Sequence, residues 1–149
     1  EPHQSCACSP VAIRSYQRRV SGPLLDRIDL HVWVGALPFR ALHGPPGEPS
    51  AAVRSRVLAA RETQAGRQSV TRVSTNADLG GAALRVIAAP DAAGERLLET
   101  AMTRLGLSGR GHGRVLRVAR TLADLEGADR VRASHVAEAL QFRGQAPPG

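Results

Sequence analysis

The stretch Ser108-Gly-Arg-Gly-His-Gly-Arg-Val-Leu-Arg-Val-Ala-Arg-Thr-Leu-Ala-Asp-Leu-Glu-Gly127 decides how the second half of the chain is read. Ser108 is a favourable N-cap, and Gly127 stands where a glycine just past the last turn ends a helix. Between them Val115, Val118, Ala119, Leu122 and Leu125 recur at helical spacing, which predicts one apolar stripe. Arg110, Arg114 and Arg117 fall at i, i+4 and i+7 and form a second stripe. Like charges at this spacing cost a few tenths of a kcal/mol per pair. Cations near a helix N-terminus also oppose the macrodipole, by about 0.3–1 kcal/mol each. An anion held at that end turns both penalties into attraction. The alternative is a solvated basic face on a long helix.

The 149 residues are 42% hydrophobic but only 3% aromatic, so the core is built from Leu, Val, Ile and Ala, which favours helix-on-helix packing. No apolar run reaches the roughly 18 residues of a membrane span, and no basic-then-apolar leader is visible. The first residue is Glu rather than Met, which predicts a fragment or a processed chain, with the cytoplasm as its compartment. The net charge of +7 is compatible with nucleic-acid or nucleotide partners. All 20 basic residues are Arg, a bias that points to genome composition as much as to phosphate recognition. Cys6 and Cys8 make a single C-x-C, too few ligands for a tetrahedral zinc site even with His3 as a third.

From the start of the chain, Ser9-Pro10 predicts a helix opening, and the helix runs to about Arg19. Ser21-Gly22-Pro23 breaks it, and residues 24–28 form a short turn or helix. Residues 29–34 alternate and read as a strand without a visible partner. A lone strand is not stable, so either a hairpin follows or the rest of a sheet lies outside these residues. Residues 36–49, rich in Pro and Gly, are the linker. Helices follow from Ser50 to near Gly66, within 79–89, from Pro90-Asp91 to Gly106, from Ser108 to Gly127, and from Ser134 to Phe142, while residues 67–78 read as irregular. The fold class is thus mainly α, with a bundle of four or five helices over 50–143 and a disordered tail over 144–149; the resemblance described below implies that residues 1–35 are the tail of a preceding unit. Residues 50–143 are expected to fold on their own, with 1–48 poorly ordered or packed opportunistically.

No local elbow motif suggests a Ser-His-Asp set, and no paired carboxylates share a predicted helical face. Gly109-x-Gly111-x-Gly113 does not read as a phosphate loop, because it follows a helix and lacks the Gly-Lys-Ser/Thr ending. A chain with no lysine carries no Walker A motif. Alone it is not expected to be an NTPase.

Four blocks resemble a known family in their order and spacing: Cys6-x-Cys8-Ser-Pro10, Tyr16-Gln-Arg-Arg-Val-Ser-Gly-Pro-Leu-Leu-Asp-Arg-Ile-Asp-Leu-His31, Arg117-Val-Ala-Arg-Thr-Leu-Ala-Asp-Leu-Glu126 and Ala137-Glu-Ala-Leu-Gln-Phe-Arg143. Together they resemble the C-terminal part of the magnesium-chelatase-like AAA+ ATPases, in particular the competence-associated ComM/YifB type. The resemblance implies a helical lid over 50–143, preceded by the last helix and strand of an incomplete α/β nucleotide-binding core. It implies ATP and Mg2+ as cofactors of the full-length protein, none in the fragment, and a homo-oligomeric, hexameric ring. It also implies action on DNA, with branch migration in recombination or natural transformation as the activity. A chelatase motor subunit and a basic helical DNA-binding module are the alternatives.

The resemblance also assigns roles. Arg27 matches an arginine finger that reaches the γ-phosphate held by the neighbouring subunit; otherwise it pairs locally with Asp26 or Asp29. Arg110 matches the sensor-2 arginine, which contacts nucleotide phosphates within its own subunit, and Arg114 is the second candidate. The family's usual Ser-Ala-Arg-Ala is replaced here by a Gly-rich turn. Its three glycines cost roughly 2–3 kcal/mol relative to alanine, so the helix is expected to start only near Arg114. Cys6 and Cys8 match half of a possible structural zinc site whose other cysteines lie upstream in the family.

Overall fold

The computed structural model describes residues 7–143, apart from 33 and 36. Helix α1 covers Pro10–Gln17, α2 Gly22–Leu25, α3 Phe39–Leu42, α4 Ser50–Gly66 and α5 Gln68–Thr71. A 3₁₀ turn at Asn76–Asp78 leads to α6 at Gly81–Ile87, α7 at Ala92–Leu105, α8 at Gly109–Glu126 and α9 at Ala133–Gln141. The protein is mainly helical, and no strand occurs among the described residues. One isolated parallel bridge joins Pro90 to Val131, where Asp91 N–H donates to the Val131 carbonyl at 2.9 Å. The strand expected over 29–34 is therefore corrected: its described residues are irregular backbone. A strand needs a ladder partner for its N–H and C=O groups, and none is present among the described residues. Trp33, Cys6 and the expected disordered tail over 144–149 lie outside the described residues.

Helix α8 is the centre of the body. It packs against α9 on one side and α4 on another, while α9 also packs against α7. Both predicted caps of α8 form. Ser108 Oγ accepts the Gly111 N–H at 3.0 Å, and Gly127 adopts φ +72°, a left-handed turn that costs glycine nothing. The delayed start near Arg114 is a second correction, because α8 begins at Gly109. The Ser108 cap stabilises the weak first turn by about 1 kcal/mol. A carboxylate docked beside that turn, described below, adds to it.

The buried face of α8 also differs from the predicted stripe. Val115, Leu116, Ala119 and Ala123 are buried, whereas Val118 and Leu122 are partly covered and Leu125 is 41% exposed. With them go Arg120 and Asp124, both buried. Leu79, Leu84, Ala88, Leu98, Val131, Val136 and Ala139 complete the core cluster. The first half of α4 is exposed on all sides, including Val53, Val57 and Leu58; its buried residues are Ala60 and Gln64.

At the start of α7, Gly94 lets two helices approach closely. A Cβ there would stand 2.8 Å from Pro90 Cβ and 3.3 Å from Val136 Cγ2. Gly94→Ala is therefore expected to destabilise the fold by about 1–3 kcal/mol through overpacking. A urea midpoint equal to that of the parent chain would refute this. Helix α9 is capped in an unusual way: the His135 Nδ1 accepts the Arg132 N–H at 3.0 Å. That acceptance puts the ring proton on Nε2, which faces Glu126 Oε2 at 2.5 Å.

Candidate functional site

Residues 26–31 dock on the N-terminal end of α8 and the C-terminal end of α9. The Ser108 hydroxyl donates to Asp26 Oδ2 at 2.7 Å while its oxygen caps the helix. Arg143, just beyond α9, donates from Nη2 to Asp26 Oδ1 at 2.8 Å and from Nη1 to the Ile28 carbonyl at 2.5 Å. Arg114 is ion-paired with Asp29. His31 N–H donates to the Phe142 carbonyl at 3.0 Å, and its ring Nε2 lies 3.2 Å from the Leu25 carbonyl. Part of the first 48 residues is thus tied to the helical body by specific bonds. Chain order alone hides this, because the partners are 82 to 117 residues apart.

This docking explains the arginine stripe. Asp26 and Asp29 are anions at the positive end of α8, so each relieves the repulsion among its arginines and complements the macrodipole. Gly111 eases the approach, since a Cβ there would stand a tight 3.3 Å from Asp26 Oδ1. The Ser108 hydrogen bond holds the Asp26 carboxyl below its ordinary value of 3.8, against the opposing effect of burial. Arg143, Arg110 and Arg114 add to the lowering, in that order. A lowered folded-state pKa means the contribution is complete above the unfolded value and is lost as pH falls through the folded one. Docking of 26–31 is therefore expected to weaken only below pH 3.8. In an acid titration followed by the His31 and Ser108 amide shifts, Asp26→Asn is expected to remove that transition, and a transition unchanged in the variant would refute the assignment.

The sequence-predicted site residues fare differently. Arg27 lies between the two anchored acids, is exposed, and has no hydrogen bond or ion pair among the described residues. Its local pairing with Asp26 or Asp29 is not formed, because those acids face Ser108, Arg143 and Arg114 instead. Arg110 is exposed and makes no hydrogen bond among the described residues. Arg114 is half-buried and keeps an unpartnered Nε–H. Arg117 turns away from the stripe and donates from Nε to the Leu79 carbonyl at 2.7 Å. Arg27, Arg110 and Arg114 therefore share one end of the body, and Arg117 does not belong with them. Exposed Arg110 can meet an anion from solvent, whereas the unpartnered Nε of Arg114 is itself buried.

Cys8 is exposed, and no group of three His, Cys, Asp or Glu side chains among the described residues is arranged to hold a metal ion. The described residues thus hold no closed ligand set for a structural zinc ion by themselves. No helix of the described residues is long and apolar enough to cross a membrane.

Two sets of residues escaped the reading of the sequence. Arg143 carried no signal beyond the Ala137–Arg143 block. The second is a buried polar hub. Asp124 accepts from Arg120 Nε at 3.0 Å, from Arg67 at 2.9 and 2.5 Å, and from Asn76 Nδ2 at 2.7 Å. Arg120 also donates to the carbonyls of Ala128 and Asp129 at 2.6 and 2.9 Å. Burial pulls the Arg120 guanidinium below its usual value, with Asp124 acting against it. The i, i+4 spacing of Arg120 and Asp124 was the available signal, but it also describes a surface pair.

Two family models match successive parts of the chain. The family model described as magnesium chelatase, subunit ChlI C-terminal, matches residues 47–143, and that described as magnesium chelatase, subunit ChlI, matches residues 1–42. The chain is 43% identical over 140 residues to an uncharacterized protein of Mycobacterium tuberculosis, covering 94% of this chain and 28% of that protein. It is 41% identical over 137 residues to the competence protein ComM of Haemophilus influenzae, covering 91% of this chain and 26% of ComM. It is 38% identical over 138 residues to the uncharacterized protein YifB of Escherichia coli, again covering 91% and 26%. The chain thus spans about a quarter of the length of these relatives. With matches over both of its parts, the chain belongs to the magnesium chelatase ChlI family.

Proposed function

We propose that this chain carries the arginine-bearing end of an AAA+ ATPase that works as a homo-hexameric ring on DNA in the cytoplasm. Arg27 is the arginine finger, Arg110 the sensor-2 arginine and Arg114 its second candidate. The observation that carries the reading is the tethering of Asp26 and Asp29 to Ser108, Arg143 and Arg114, which leaves Arg27 and Arg110 exposed on one end of the same body. Arg27 reaches the γ-phosphate held by the neighbouring subunit, and Arg110 contacts the nucleotide phosphates within its own subunit. ATP and Mg2+ supply the phosphoryl group and its counter-charge; this chain's arginines orient and neutralise the phosphate oxygens.

In this reading residues 1–35 close the α/β core, 36–49 link, and 50–143 form the lid. Cys6 and Cys8 contribute half of a structural zinc site completed upstream. The fragment alone, lacking a Walker lysine, does not hydrolyse ATP. The name of the competence protein ComM supports a role in natural transformation, and branch migration in recombination is the activity proposed for it. The family's chelatase name supports a second reading, a motor for metal insertion. The two separate in one comparison on the full-length protein: ATP-driven branch migration of a four-way DNA junction is expected, and magnesium insertion into a porphyrin without it would favour the second.

A further inference from the structure

Arg143 is the last described residue, and its side chain is only 5% exposed. Its two terminal nitrogens go to different acceptors: Nη2 to the Asp26 carboxylate and Nη1 to the Ile28 carbonyl. Those acceptors flank Arg27. An exposed side chain without an anchor of its own takes its direction from the backbone beneath it. A guanidinium is planar and rigid, so one fork that holds a carboxylate at 26 and a carbonyl at 28 fixes the orientation of the span between them. Ser108 reinforces the grip through the other Asp26 oxygen, at 2.7 Å. The packing is close here as well: a Cβ at Gly111 would meet both Asp26 Oδ1 at 3.3 Å and Arg143 Nη2 at 3.5 Å.

We infer that Arg143 is a positioning residue for Arg27, setting from the C-terminal end of α9 the backbone on both sides of the finger. The inference rests on the finger reading above. Arg143 touches no nucleotide in this scheme and acts through Asp26 and Ile28. It also makes the end of α9 and the finger one mechanical unit, so a movement of the lid carries the finger with it.

Arg143→Lys keeps the charge beside Asp26 but replaces the fork with a single ammonium. In the 149-residue chain, 15N relaxation is expected to show ordered Arg27 and Ile28 amides, with S² about 0.85, falling below about 0.6 in the variant while α8 stays ordered. Rigid amides at 27 and 28 in a folded variant would overturn the inference. In the full-length protein, kcat for ATP is expected to fall about 10- to 100-fold with KM changed less than about two-fold. In an Arg27→Ala background, the residual single-turnover rate is expected to change less than about two-fold. A loss carried by KM, an unchanged kcat, or the full loss repeated on Arg27→Ala would each overturn it. If Arg143→Lys does not fold, Asp26→Asn, which keeps an oxygen for Arg143, gives the same kcat-only loss at smaller size, and an unchanged kcat there overturns the inference. An inactive Arg27→Ala beside a fully active Arg143→Lys removes Arg143 alone; an active Arg27→Ala removes the finger reading and this inference with it.

Discussion

Arg27→Ala in the full-length protein is expected to lower ATP turnover by about 10³–10⁵-fold, the range seen when an arginine finger is lost, and to leave nucleotide binding intact. The structure makes this a clean experiment. Arg27 makes no hydrogen bond or ion pair among the described residues, and its exposed side chain fills no part of the core. Removing it leaves the bonds of Asp26, Ile28 and Asp29 in place. A surface truncation of this kind changes stability by only about 0.5 kcal/mol. Loss of turnover would therefore report chemistry and not unfolding. Arg27→Lys is expected to recover part of the rate, since an ammonium keeps the charge but not the fork. Hydrolysis by Arg27→Ala near the parental rate would show that the finger lies elsewhere.

The largest effect on stability is expected at Asp124. Its carboxylate is fully buried and holds Arg120, itself 2% exposed, together with the partly covered Arg67. Asp124→Ala removes the counter-charge from both arginines and an acceptor from Asn76. Arg120 then keeps only the Ala128 and Asp129 carbonyls as partners. Stranding a buried charge in this way costs about 3–5 kcal/mol, a large part of the roughly 5–15 kcal/mol that stabilises a typical domain. The variant is expected to be partly unfolded at room temperature, and Asp124→Asn, which keeps an acceptor, to lose less. Urea unfolding followed by circular dichroism measures both. A loss below about 1 kcal/mol for Asp124→Ala would show that the hub does not hold α8 to Arg67 and the Asn76 turn.

The hub and the docked segment 26–31 together explain why the helical body orients its basic end as it does. Arg120 and Asp124 face inward on α8, toward Arg67 and the 3₁₀ turn, and this sets the rotation of the helix about its axis. That rotation carries Arg114 toward Asp29 and leaves Arg110 exposed. A stripe rule that sorts apolar residues inward and charged residues outward rotates α8 differently, toward Leu122 and Leu125. Leu125 is in fact half-exposed, and a charged pair occupies part of the face assigned to apolar residues. The pair is tolerated there because four donors from three residues satisfy the carboxylate.

What the sequence determined by itself is local. Ser108 and Gly127 bound α8, Asp91 and Gly106 bound α7, and Ser9 opens α1, because a cap is a contact between residues three or four positions apart. The family was also legible, from blocks of residues in fixed order. Tertiary structure alone decided what answers the charge of Ser108–Gly127's arginine stripe. The anions beside it are Asp26 and Asp29, where the sequence left a solvated basic face equally open, and the residue that grips Asp26 and the Ile28 carbonyl is Arg143. These groups meet across 82 to 117 positions of chain. No periodicity reports a contact of that separation, because it exists only once the helices between have packed.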